Sequence, residues 1–188
     1  MDAGPVDIWI ISLDAPREIV IAPDEQERAA RLRAAADRLR WARARTALRA
    51  ILSSRLGRAP LDFHFRIGPH GKPFVEGGPE FNLSHSGEWA VVAVSSSAAV
   101  GVDIERMRED VDIARLLGRL GEKDLPDSRP ALYQRWARRE AASKTTGGPL
   151  FEAVDSRVCL ADLEAPAGCA AAVGLLGFRP EPVYRGSR

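Results

Sequence analysis

Cysteine is scarce in this chain: only Cys159 and Cys169 occur in 188 residues, with no CxxC spacing and no histidine nearby. That argues against a thiolate zinc site and against a disulfide framework, and two reduced thiols in a cytosolic protein are expected. A surplus of one charge is also missing. Lysine and arginine total 27 against 26 aspartates and glutamates, a net charge of +1, whereas chains that bind nucleic acid or membrane surfaces in bulk are usually strongly basic. No apolar run approaches the ~20 residues of a membrane helix, and Met1–Leu13 carries acids rather than a basic leader. A soluble, cytoplasmic protein is expected, with neither nucleic acid nor membrane as partner. Three motifs are absent as well: GxxxxGK[ST], GxGxxG and the GxSxG elbow of serine hydrolases.

What remains is ordinary globular material, 45% hydrophobic and 28% charged, long enough to bury a real core. Val6–Leu13 is β-branched and aromatic and reads as a strand. Pro23-Asp24-Glu25 opens an Ala/Arg/Leu-rich region reaching Leu56 and ended by Gly57; its apolar spacing predicts two helices with a break near Arg40. Leu61–Ile67 alternates and predicts a half-buried strand, followed by a loop at Gly68-Pro69-His70-Gly71. Short strands are expected at Phe81–Ser84 and Trp89–Ser95, joined by a polar loop over Ser84–Glu88. Val100–Ile104 reads as a strand buried on both faces. Helices are expected at Val111–Gly118 and Ala131–Thr145, and closing strands at Val154–Leu160 and Ala170–Leu176. Strand, helix and strands thus occur twice, on either side of about residue 98, which suggests an α+β fold of two similar halves.

The chemistry concentrates in two places. Asp103 and Glu105 are two residues apart on an expected strand and so share a face. Two carboxylates there repel each other unless a cation neutralises them or water solvates them beside Arg106 and Arg108. A magnesium ion suits them, with its hard oxygen ligands and its habit of completing its shell with a phosphate. Trp136, Glu140 and Lys144 recur every four residues and lie on one helical stripe. They read either as a surface pair beneath a packed tryptophan, or as a third carboxylate for the same ion and a lysine for the phosphate it holds. Ser84-His85-Ser86 is a poor nucleophile–base pair, because neighbours on a strand point apart; an anion cradle and an ordinary polar turn remain open. Arg45, amid Arg40, Arg43 and Arg49, is either on a solvated helix face or a holder of a terminal phosphate.

Taken in order, Arg45-Thr46, Gly71-Lys72-Pro73, Phe81-Asn82-Leu83-Ser84-His85-Ser86, Gly101-Val102-Asp103-Ile104-Glu105 and Trp136–Lys144 resemble the 4′-phosphopantetheinyl transferases of the surfactin-synthetase-activating type. The resemblance spans roughly Val6–Leu150. It implies a Mg²⁺-dependent enzyme that moves the 4′-phosphopantetheine arm of coenzyme A to a serine of an acyl or peptidyl carrier protein, releasing adenosine 3′,5′-bisphosphate. The pathway would be fatty-acid, polyketide or nonribosomal peptide synthesis. Asp103, Glu105 and Glu140 would hold the metal and Lys144 would meet the phosphate. Arg45 and His85 would serve the 3′-phosphate, Lys72-Pro73 the adenosine and Ser84 the phosphates, with Glu122 helping to deprotonate the carrier serine. The implied fold is two pseudo-twofold-related halves, residues 1–98 and 99–188, each a small sheet on a long helix, with coenzyme A between them. Two halves already complete a cleft, so a monomer is expected. Arg139 stands where the family usually carries lysine, and the segment between Glu122 and Trp136 is short. A different class of function, non-catalytic binding of coenzyme A or a carrier protein, would have no need of the four charged residues Asp103, Glu105, Glu140 and Lys144.

Overall fold

A computed structural model describes residues 3–68 and 70–186. The chain is mixed α+β, with nine strands and four helices among those residues. One sheet has the order β4-β5-β1-β9, from Glu80–Ser86, Trp89–Ser95, Ala3–Ser12 and Arg179–Tyr184. A second has the order β6-β8-β7, from Val100–Arg106, Cys169–Leu176 and Val158–Asp162. A two-stranded ribbon joins β2 (Arg66–Ile67) to β3 (Pro73–Phe74).

The helices begin and end where their termini can be satisfied. Helix α1 (Pro23–Ala30) has Pro23 in its first turn, and the Glu25 carboxylate accepts the Ala22 N–H at 2.9 Å. Helix α2 (Ala35–Leu56) stops at Gly57, which takes the left-handed conformation that glycine adopts without steric cost. Asp112 and Ser128 cap α3 (Ile113–Arg119) and α4 (Arg129–Thr146), each accepting a backbone N–H through its side-chain oxygen.

The alternation of apolar side chains along the strands divides the core in two. Trp9, Ile11, Val92 and Val94 face Ala44, Leu48, Ile51 and Leu52 of α2. From the opposite face of the same sheet, Val6, Ile8, Val91 and Ala93 pack on Val100, Val102, Ile104, Ala171, Val173 and Leu175 of the second sheet. Helix α4 covers the far side of that sheet, with Ala137 and Ala141 on Ala172. Its approach depends on Gly101 and Gly174. A Cβ at Gly101 would stand 2.3 Å from both the Ala141 carbonyl oxygen and the Thr145 nitrogen, and one at Gly174 would stand 2.5 Å from the Thr145 hydroxyl.

Several expectations are corrected. The helical break lies at residues 31–34, and Arg40 is inside α2 with its guanidinium on Asp14. The chain bends there because Arg38 donates to the Leu32 and Arg33 carbonyls, a contact with no local signature in the sequence. Of the alternating run Leu61–Ile67, only Arg66–Ile67 is strand. Arginines claim the carbonyls that a ladder would have used: Arg49 binds those of Pro60 and Phe63, and Arg58 that of Asp62. Phe63 is buried whereas Leu61 and Ile67 are exposed. Ser84–Ser86 continues β4 to a tight turn at Gly87-Glu88, with Ser86 opposite Trp89. The loop expected at Gly68–Gly71 is seen as a Gly71 N–H to Gly68 C=O turn, and Pro69 lies outside the described residues. The strand expected at Val154–Leu160 begins only at Val158. Strand β9 was not expected; its two prolines are tolerated because it lies at the sheet edge, parallel to β1.

Candidate active site

Strand β6 and helix α4 bring three carboxylates together. Asp103 and Glu105 leave β6 on its α4 side, and Glu140 reaches them from the helix. One oxygen of each lies within 4.8 Å of the others. Lys144, one turn beyond Glu140, places its ammonium 2.5 Å from Asp103 Oδ1, 3.2 Å from Glu140 Oε2 and 3.1 Å from Ser84 Oγ. Trp136, one turn before, donates its indole N–H to Glu105 Oε1 at 3.3 Å. The helical stripe and the strand pair thus form one cluster.

The cluster is out of charge balance. Asp103 is only 1% exposed, yet its Oδ2 has no hydrogen-bond partner. A buried carboxylate oxygen left in that state is costly unless a cation meets it. Burial lifts the Asp103 carboxyl above its ordinary range, with Glu140 adding repulsion and Lys144 opposing both. Burial, then the charge of Asp103, pushes Glu105 up to about 7. Burial works against the Lys144 ammonium, but Asp103 and Glu140 outweigh it and hold it above the usual lysine value. Three carboxylates against one ammonium form an oxygen-only donor set of the kind that hard divalent cations take.

Strand alternation sends His85 the other way from Ser84. It lines a cleft of about 370 Å³ with Arg28, Trp41, Arg45, Phe65 and Pro73. Desolvation by the cleft wall, followed by repulsion from Lys144, keeps its imidazole below the ordinary histidine range. Arg45 sits 4.0 Å over the Phe65 ring and is ion-paired to Glu25 at 2.6 Å. The same carboxylate takes Arg49, whose side chain is 1% exposed. Glu25 therefore anchors both cations.

The remaining expected site residues lie around this centre. The Lys72 ammonium bonds the carbonyls of Val100 at 3.0 Å and Thr145 at 3.2 Å, tying β6 to the end of α4, while Pro73 reaches the cleft. Glu122 is outside the three-carboxylate group, paired to Arg135 at 2.8 Å and Arg139 at 3.8 Å on the wall of a separate open cleft. The sequence places Ser86 only in an anion cradle or polar turn, whereas its hydroxyl donates to Glu105 at 3.1 Å, and it gives no anchoring role to Glu25, which holds Arg45 and Arg49. The two-residue spacing of Ser84 and Ser86, matching that of Asp103 and Glu105, was the available signal for the first. The second left only a glutamate at the third position of a helix.

Residues 17–97 match the family model described as 4′-phosphopantetheinyl transferase, N-terminal. Among curated relatives, the 4′-phosphopantetheinyl transferase HetI of Nostoc sp. is 30% identical over 95% of this chain and 91% of its own length. The 4′-phosphopantetheinyl transferase Sfp of Bacillus subtilis is 28% identical over 72% of this chain and 64% of its own. The 4′-phosphopantetheinyl transferase AcpT of Salmonella typhimurium is 35% identical over 56% of this chain and 59% of its own. Among the described residues, no helix is long and apolar enough to cross a membrane.

Proposed function

The chain belongs to the 4′-phosphopantetheinyl transferases, enzymes that move the phosphopantetheine arm of coenzyme A to carrier proteins, and we propose that Asp103, Glu105, Glu140 and Lys144 are the centre of that transfer. The observation that carries this reading is the unpartnered buried oxygen of Asp103 beside two more carboxylates and an ammonium. Asp103, Glu105 and Glu140 would hold Mg²⁺, which when bound neutralises and orients the pyrophosphate of coenzyme A.

The protein's own groups do the rest. The carrier serine oxygen forms a bond to the phosphorus that bears the pantetheine arm. The bond from that phosphorus to the bridging oxygen breaks, and adenosine 3′,5′-bisphosphate leaves. Lys144, held cationic by Asp103 and Glu140, offsets the charge that develops on the phosphoryl oxygens. Glu140 takes the seryl proton, because its side chain is 23% exposed where that of Asp103 is sealed. The nucleotide end of the donor occupies the cleft of Arg45, Pro73 and His85. In this reading Glu122 and its arginines form the wall along which the carrier serine approaches. The α2 layer draws on half 1–98 and the α4 layer on half 99–188, except that β9 of the second half adds an edge strand to the sheet of the first. The enzyme acts as a cytoplasmic monomer.

The test is mass spectrometry on apo carrier proteins from fatty-acid, polyketide and peptide synthesis, incubated with the protein, coenzyme A and Mg²⁺. A gain of about 340 Da, the mass of the transferred arm in a metal-assisted displacement, is expected. The absence of an adduct on every carrier, together with coenzyme A binding indifferent to Mg²⁺, would instead establish a non-catalytic binder.

A further inference from the structure

Strands β4 and β6 run side by side in the same direction, yet no backbone ladder joins them among the described residues. Side chains replace it. Asn82 Oδ1 accepts the Val102 N–H at 3.0 Å, Ser84 Oγ donates to Asp103 Oδ1 at 2.7 Å, and Ser86 Oγ donates to Glu105 Oε2 at 3.1 Å. Residues 82, 84 and 86 share one face of β4, so two serines at a spacing of two meet two carboxylates at a spacing of two.

The direction of each serine proton is determined by its other partner. A hydroxyl has a single hydrogen to donate. Ser84 Oγ accepts from Lys144 Nζ at 3.1 Å, and Ser86 Oγ accepts the Arg106 backbone N–H at 3.0 Å. Both hydroxyls therefore turn their proton to a carboxylate. One oxygen of Asp103 is engaged in this way, and its other oxygen is the one left without a partner.

We infer that Ser84 and Ser86 are positioning residues that orient Asp103 and Glu105 for the divalent cation; the inference rests on the metal reading given above. The hydroxyls fix the carboxylate planes before the ion arrives, so the ion pays less of the ordering entropy on binding. Ser86 is the sharper case, because its hydroxyl meets an amide and a carboxylate and has no bond to Lys144.

The experiment titrates Mn²⁺, as a spectroscopic stand-in for Mg²⁺, into coenzyme-free protein and follows it by electron paramagnetic resonance. Wild type, Ser86→Ala, Ser84→Ala, Ser86→Thr and Asp103→Asn are compared, each checked for a cooperative thermal transition. The two alanine variants are expected to lose about 10–100-fold in metal affinity, with threonine restoring it. In Ser86→Ala, whose hydroxyl has no bond to Lys144, coenzyme A affinity in EDTA should not change. Unaltered metal affinity in both alanine variants overturns the inference, as does a Ser86→Ala loss confined to coenzyme A affinity in EDTA, which would put that hydroxyl on the donor. If wild type and Asp103→Asn take up Mn²⁺ alike, the metal reading itself fails, which is a separate result.

Discussion

Lys144 and Asp103, 41 residues apart in the chain, meet at 2.5 Å where helix α4 crosses strand β6. The aspartate is 1% exposed and the lysine 31%, so in the metal-free protein Asp103 depends on this ammonium for compensation. Removing one partner of a buried pair costs roughly 3–5 kcal/mol. Lys144→Met should therefore lower unfolding free energy in EDTA by about that amount. Mg²⁺ should return part of it. Urea denaturation with and without Mg²⁺ measures both, and a variant as stable as wild type in EDTA would show that the pair carries no such burden.

Glu105 makes stability depend on pH in the direction opposite to an ordinary carboxylate. Its folded value is raised from 4.5 to about 7, first by burial and then by Asp103. The folded protein keeps a proton that the unfolded chain has released, so this contribution is full below the unfolded value and is lost as pH rises through about 7. The total is about 3 kcal/mol or less, since the group is partly solvated. Melting temperatures in EDTA should fall as pH rises from about 5 to 8, and the gain from Mg²⁺ should grow over the same range. Glu105→Gln should flatten both trends; a variant with an unchanged slope would assign the effect to another group.

Glu25 has the reverse sign. Burial opposes its charge, but Arg49, the Ala22 N–H and Arg45 outweigh burial and hold it below the usual glutamate range. Its contribution is present above the unfolded value and is lost as pH falls through the lower folded one. Glu25→Gln leaves the sealed Arg49 guanidinium without its counter-charge and should cost about 3–5 kcal/mol. It also releases Arg45 in the cleft, so KM for coenzyme A should change more than kcat. A variant with wild-type stability and wild-type KM would contradict the anchoring role.

Gly101 tests the contact between β6 and α4. An added methyl would press on backbone at 2.3 Å from both Ala141 and Thr145, which cannot yield as a flexible side chain does. Gly101→Ala should cost at least about 1–3 kcal/mol and shift Glu140 away from Asp103, with kcat falling more than stability alone requires. Calorimetry together with single-turnover transfer kinetics would check this. Full activity at an unchanged melting temperature would mean that the helix has room to retreat.

Much of the site was legible as periodicity. Spacing of two put Asp103 and Glu105 on one strand face, and spacing of four put Trp136, Glu140 and Lys144 on one helix stripe, and in the folded protein the two sets meet. The misread segments share a physical cause. At residues 31–34 and 61–65 arginine side chains, Arg38 from the next turn and Arg49 from the preceding helix, take carbonyls that a regular element would have used, and no hydrophobic period signals such contacts. Strand β9 was overlooked because its prolines forbid a central strand and only an edge beside β1 makes them harmless.

The sequence by itself determined which groups exist and which of them share a face, because side-chain direction follows from local backbone geometry. Tertiary structure decided which faces meet. Gly101 of β6 and Gly174 of β8 let α4 settle on the sheet, and that approach brings an exposed-looking Glu–Lys pair and a strand pair into one cluster. It also decided that Arg45 is paired with Glu25 and that the Ser84 and Ser86 hydroxyls point at Asp103 and Glu105. These contacts join residues 19 or 20 positions apart, a separation at which no helical or strand period links one side chain to another.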